Sequence, residues 1–204
     1  MAGNSQTIRD QTEDFYSDAE LLELGCTSVG RCVQVSKRAQ FHNFSGSIGD
    51  NVRIDDFCIL KGNVVIGSFV HISAFCLVGG TKGCVTFEDF SGLAARVSIY
   101  TGTDNYSGDN LTNPTVPSAY RDLLIGDVFL GRGAIIGAHS VLLPATSVGA
   151  FASVGAMCVV KGEIKTGATM VSAAGKPRVI SQKDTDKLHA AADAVLLQWK
   201  REAI

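Results

Sequence analysis

The sequence predicts a parallel β-helix, and three observations carry that prediction: a six-residue aliphatic step, a small residue at a fixed offset, and an adjoining glycine. The step runs through Val29, Val35 and Phe41, then Ile48, Ile54 and Leu60, then Ile66, Ile72 and Val78. Phe87, Leu93 and Ile99 follow after an insertion, and Leu130, Ile136, Leu142, Val148, Val154 and Val160 keep the step without a fault. Ile164 and Met170 form a last, offset pair. Four residues after an aliphatic there is usually a small or β-branched residue, as in Val52, Cys58, Ser140 and Ala152. Directly after it glycine recurs, at Gly49, Gly67, Gly131, Gly137, Gly149 and Gly155, where it is expected to permit a tight turn. A short strand and a turn every six residues make three sides of one coil, and coils eighteen residues long stack as parallel sheets. Sandwich strands recur at looser intervals of roughly 8–12 residues, which this pattern does not match.

The elements then follow in order. Residues 14–24 read as a short helix, because Ser17 with Glu20 three positions on forms a capping box. The β-helix occupies 29–180, preceded by an N-terminal segment at 1–28 and interrupted by a long excursion at about 101–127. Residues 181–204 close the chain with an amphipathic helix: Leu188, Ala191, Ala192, Val195, Leu196 and Trp199 recur near a 3.6-residue period. That helix is expected to cover its own coil stack or a neighbour's.

The 204 residues suit one domain, and a formal net charge of −2 with no Lys/Arg run argues against a nucleic-acid surface. No stretch is apolar enough to span a membrane, and the polar, acidic N-terminus does not read as a signal peptide. The six cysteines show no Cys-x-x-Cys spacing and occupy places where Ser, Ala or Val would serve. They read as small buried thiols in a reducing, cytoplasmic setting.

The aliphatic-Gly-x-x-small-x pattern, densest in "LGRGAIIGAHSVLLPATSVGAFASVGAMCVVKG" and ending in "VSAAGKPRVI", resembles the hexapeptide-repeat acyltransferases. The resemblance implies an all-β, left-handed parallel β-helix that works as a homotrimer, with acyl-CoA as co-substrate in the groove between neighbouring β-helices and no metal. It places the backbone of Ala138, Gly155 and Ala156 beside the thioester, and makes Lys161, Lys176 and Arg178 candidates for the CoA phosphates. The segments "FYSDAELLELGCTSVGRCVQVS", "IGDNVRIDDFCILKG" and "YTGTDNYSGDNLTNPTVP" look closest to one branch, which N-acylates nucleotide-linked sugars of the 4-amino-4,6-dideoxyglucose type for surface glycans.

The excursion is where the chemistry is expected. In relatives that acetylate hydroxyls this loop opens with a histidine, whose imidazole takes the hydroxyl proton. Here Asp104 stands in its place, in "YTGTDNY". A carboxylate is a poor base for a hydroxyl. It is suited to hydrogen-bonding an amine and steadying the positive charge that develops as the amine attacks a thioester. Resemblance to the branch maps its amine-binding aspartate onto Asp104 and leads us to expect Tyr106, Ser107 and Tyr120 near the acceptor. Asp104 also suits an Asx-turn, since "TDN" before Ser-Gly is turn chemistry.

His139, at a corner, and His71, pointing outward, are the rival bases; they belong to an alternative reading as a sugar O-acetyltransferase. A non-catalytic β-helix scaffold is the second alternative. His42, His71 and His139 lie too far apart to repeat the three-histidine zinc pattern of carbonic-anhydrase relatives on this fold. The expected partners are acyl-CoA and a nucleotide-linked amino sugar, without nucleic acid or membrane.

Overall fold

The computed structural model describes residues 14–173 and 176–202; the start of the 1–28 segment and Ala174–Gly175 of the "VSAAGKPRVI" motif lie outside the described residues. The chain winds as a left-handed parallel β-helix with three faces. One face stacks two-residue strands such as Arg53–Ile54, His71–Ile72, Ile135–Ile136 and Ser153–Val154 in parallel register. The other two faces share the long strands Gln40–Ile48, Ile59–Ile66 and Leu77–Phe87, which bend around a corner between them.

Register turns the six-residue step into three interior columns. Ile48, Ile66, Phe87, Leu130, Val148 and Ile164 stack in one; Ile54, Ile72, Leu93, Ile136, Val154 and Met170 in another. Leu60, Val78, Ile99, Leu142 and Val160 form the third. All of these side chains are buried, as are the offset small residues Val52, Cys58, Ser140 and Ala152. Each large aliphatic contributes on the order of 1.5–3 kcal/mol of transfer free energy, an upper estimate because unfolded chains already bury some surface. Cys58 and Cys76 point inward as well, their Sγ atoms 3.1 Å from the Ser73 carbonyl oxygen and 3.3 Å from that of Ala94.

The turns work differently from the sequence expectation. The glycines after the inward aliphatics do not have left-handed backbones; they are needed because successive coils approach too closely for a Cβ. A Cβ on Gly49 would lie 2.6 Å from the carbonyl carbon of Gly67, and one on Gly131 would lie 2.7 Å from the amide nitrogen of Ala150. The left-handed position comes two residues later and is filled mostly by other residues: Asn51 (φ 53°), Phe57 (φ 60°), Phe75 (φ 63°) and His139 (φ 60°) among them. Left-handed backbone costs a non-glycine residue of order 1–3 kcal/mol. Here it turns an N–H onto the preceding coil, as in Phe75 N–H to Asp56 C=O (3.0 Å) and His139 N–H to Ala95 C=O (3.1 Å).

Both end helices form. Helix α1 (Asp18–Glu23) carries the expected capping box, with the Ser17 N–H donating to Glu20 Oε2 at 2.7 Å. Helix α2 (Asp186–Arg201) covers its own coil stack, running back along the corner that holds Phe151, Phe90 and Phe69. His189 meets Phe151 edge-on, Asp193 pairs with Arg132 at 2.7 Å, and Trp199 abuts Phe69 and donates to Asp50 Oδ2 at 2.8 Å. Among the described residues the next corner is bare: Phe57 stacks on Phe75, Arg96 lies over Phe75, and His139 and Met157 continue the line. The last six-residue step closes at Met170, after which Lys176–Gln182 returns antiparallel on Ala168–Ala173 rather than continuing the coils towards residue 180. Among the described residues no helix is long and apolar enough to cross a membrane.

Candidate active site

The excursion leaves the third corner after Thr101 and rejoins at Gly126, whose N–H donates to the Thr101 carbonyl at 3.0 Å. Its stem is a short antiparallel pair, Gly102–Asp104 against Leu123–Ile125, with Asp104 opposite Leu123. Turn chemistry shapes the tip. Asn105 Oδ1 accepts from the Ser107 N–H at 3.0 Å, Asn113 Oδ1 from the Thr115 N–H at 3.1 Å, and Asp109 Oδ2 accepts from Ser107 Oγ at 2.9 Å. The Asx turns therefore belong to Asn105 and Asn113.

Asp104 is engaged otherwise. Its Oδ1 accepts from Arg121 Nη2 at 2.9 Å and its Oδ2 from the Asn113 N–H at 3.2 Å. Its side chain is 17% exposed, and that of Arg121 16%. The Arg121 hydrogen bond, then the Asn113 N–H, with the guanidinium charge behind them, hold the carboxyl below the usual aspartate range and outweigh the opposing effect of burial. Asp104 is thus an ionised acceptor and a weak proton acceptor. It lines a cleft of about 540 Å³ with Pro114, Arg121, Leu123 and Ile125 from the excursion side, and Lys61, Leu77, Gly79–Lys82 and Tyr100 from the coils.

Neither rival histidine lines that cleft. His71 lies on the two-residue-strand face, its Nε2 2.9 Å from Asp55 Oδ2, while Arg53 Nε donates to Asp55 Oδ1 at 2.7 Å. Burial opposes ionisation of Asp55, but the hydrogen bonds from His71 and Arg53 outweigh it and hold the carboxyl below the usual range. His139 is exposed on the bare corner, in line with Arg96 and Met157.

Comparison with known proteins fits this arrangement to a family. Residues 45–80 match the family model described as bacterial transferase hexapeptide (six repeats). The chain is 38% identical over 167 residues, 80% of its length and 86% of the relative's, to a dTDP-4-amino-4,6-dideoxy-D-glucose acyltransferase of Escherichia coli. The chain belongs to the hexapeptide-repeat acyltransferases. Its fold overlays on AntD, an N-acyltransferase from Bacillus cereus solved with dTDP and 3-hydroxybutyryl-CoA, with a TM-score of 0.81 at 35% identity, covering 91% of this chain and 98% of that one. A variant of AntD in complex with dTDP-4-amino-4,6-dideoxyglucose and coenzyme A also gives a TM-score of 0.81, at 36% identity over 89% and 97% of the two chains.

Within this acyltransferase the expected site residues fall into separate groups. Asp104 stands at the cleft, whereas Tyr106 (77% exposed), Ser107 and Tyr120 (63% exposed) lie on the outer part of the excursion and do not line it. Ala138, Gly155 and Ala156 follow one another up the coils at the bare corner, with the Ala138 carbonyl accepting from the Met157 N–H at 2.9 Å. Lys161 is exposed on the coils, and Lys176 and Arg178 are exposed on the antiparallel return strand. Sequence reasoning did not find Arg121, Lys61 or Lys82. The one available signal was the broken repeat at "VGGTKGC", which places Lys82 in an insertion at the same corner as the excursion.

Proposed function

We propose that this chain is an acyl-CoA-dependent N-acyltransferase that forms an amide on the amino group of a nucleotide-linked 4-amino-4,6-dideoxy sugar. The observation that carries the reading is Asp104, held ionised by Arg121 at a cleft that no histidine lines. The names of the related acyltransferase and of AntD's ligands point to dTDP as the nucleotide. The free amine hydrogen-bonds to Asp104, which aims its lone pair at the thioester carbonyl carbon. As the C–N bond forms, the carboxylate steadies the ammonium charge. The C–S bond then breaks, the nitrogen loses its proton, and CoA leaves as the thiol.

The donor is assigned to the late coils. The Ala138 N–H makes no hydrogen bond among the described residues and is free to meet a thioester oxygen beside Gly155 and Ala156. Exposed Lys161, Lys176 and Arg178 suit the CoA phosphates. The apolar line of Phe57, Phe75 and Met157 on the bare corner supports a homotrimer. Acyl-CoA as donor and the buried free thiols support a cytoplasmic setting for glycan assembly.

The test is release of CoA thiol from acetyl-CoA with dTDP-4-amino-4,6-dideoxyglucose or its 4-hydroxy counterpart. Release with the amine alone is expected. Release with the hydroxyl sugar would return the base to a histidine, and release with neither would end the reading.

A further inference from the structure

We propose that Lys61 and Lys82 form the anion-binding end of the Asp104 cleft and hold the diphosphate of the nucleotide-linked acceptor; this rests on the N-acyltransferase reading. The charged side chains lining the cleft are Lys61, Lys82, Arg121 and Asp104. Arg121 and Asp104 neutralise each other at 2.9 Å. Neither lysine makes an ion pair among the described residues, so two positive charges are left over in a concave site. A diphosphate diester carries two negative charges at neutral pH. In a 4-amino sugar nucleotide it leaves the anomeric carbon, across the ring from the amine. The lining supplies a partner for each, a carboxylate for the amine and two ammonium groups for the diphosphate.

The lysines come from two successive coils. Lys61 belongs to the strand Ile59–Ile66 and pairs with Gly79 in the coil above. Between Gly79 and Cys84 the upper coil carries four residues where the lower has only Gly62, and Lys82 is one of the four. Gly79 (φ 105°) and Gly83 (φ 81°) take backbone conformations that other residues rarely adopt, so the loop can turn out and back. Its far end is tied to the returning excursion by the Cys84 N–H, which donates to Asp127 Oδ1 at 2.8 Å. The insertion thus presents Lys82 at the cleft from a loop anchored at both ends. CoA also carries a diphosphate, so the shared chemistry has two sources and the experiment must part them.

Calorimetric titration of dTDP and, separately, of CoA into wild type, Lys61→Gln, Lys82→Gln and the double Lys→Arg variant makes that separation. Each glutamine is expected to weaken dTDP binding about tenfold or more, as for the loss of a charge-assisted hydrogen bond, with CoA affinity unchanged. The arginine pair should stay within a few-fold of wild type. Unchanged dTDP affinity in both glutamine variants would overturn the proposal, as would a loss confined to CoA or a wild type that does not bind dTDP. Because dTDP has no amine, binding is read without turnover. Lysine-dependent dTDP binding in a protein that acylates nothing would sink the reaction and keep the subsite. Normal turnover with lysine-independent binding would sink the subsite alone.

Discussion

A carboxylate that accepts from a guanidinium at one oxygen and from a backbone N–H at the other still has lone pairs to offer, and the 3.2 Å bond from Asn113 is the longer of the two. We expect the acceptor amine to meet Asp104 at Oδ2. Asp104→Asn should lower kcat/KM by about 10²-fold or more while leaving the KM for acyl-CoA unchanged, read as initial rates of thiol release. An asparagine enzyme with undiminished rates would show that the loop aspartate only braces the excursion through Arg121 and Asn113. Because its folded pKa is depressed, the Asp104 interactions contribute stability above the ordinary aspartate value of ~3.9 and lose it as pH falls through the lower folded value. A carbon-detected NMR titration should find the Asp104 carboxyl titrating below ~3.9 and moving back up in Arg121→Gln; no movement would remove Arg121 as the cause. Asp104 was legible because a charged residue opens the one long break in a regular repeat. Arg121 was not, because seventeen residues separate the pair and only the antiparallel stem brings them together. Lys61 and Lys82 were hidden for a similar reason, being neighbours only through coil stacking.

At the level of elements, α2 acts as a strap across one corner, and its last turn is the fastening. Asp50 accepts from the Arg31 N–H (2.8 Å), from Arg31 Nη2 (3.1 Å) and from Trp199 Nε1 (2.8 Å). The Arg31 backbone bond, with the Trp199 and Arg31 side chains behind it, holds Asp50 below its ordinary pKa despite some burial. The fastening is therefore complete at neutral pH and weakens once the pH falls below the usual aspartate value. Trp199 is the only tryptophan in the sequence, so its fluorescence reports docking directly. Emission should be steady from pH 7 to about 4 and shift only at lower pH; a transition near pH 6 would point to a histidine instead. Asp50→Ala should cost about 1–3 kcal/mol by leaving the indole and the Arg31 donors unsatisfied, measured by urea unfolding. The helix itself was legible in its apolar period. Its seat was not, because Phe69, Phe90 and Phe151 lie far apart in the sequence and only the stacking of the coils brings them to one corner.

For the whole molecule, the repeat was readable because every coil solves the same packing problem with the same residue types. The left-handed corner was not, since Asn51, Phe57, Arg96, His139, Ala145 and Met157 have nothing chemical in common. At Asn51, Arg96, His139 and Met157 the geometry comes from the coil below, which supplies an acceptor for the turned N–H. The bare corner carries the prediction for assembly. Phe75 is 51% exposed and stacks on Phe57, also half exposed. On the proposed assembly, wild type should sediment as trimers and a Phe75→Glu variant as monomers; trimers persisting in the variant would move the interface elsewhere.

The closed neck at Thr101 and Gly126 has a consequence beyond this one reaction. On both sides of it the coils keep parallel register, Val78 with Ile99 and Phe87 with Leu130, as though the residues between were missing. Whatever hangs from that neck can change length or composition without shifting a single core contact. On the proposed function, a stack of coils punctuated in this way is a chassis with acceptor preference as its exchangeable cargo, and grafting another transferase's loop between Thr101 and Gly126 becomes a route to new substrates.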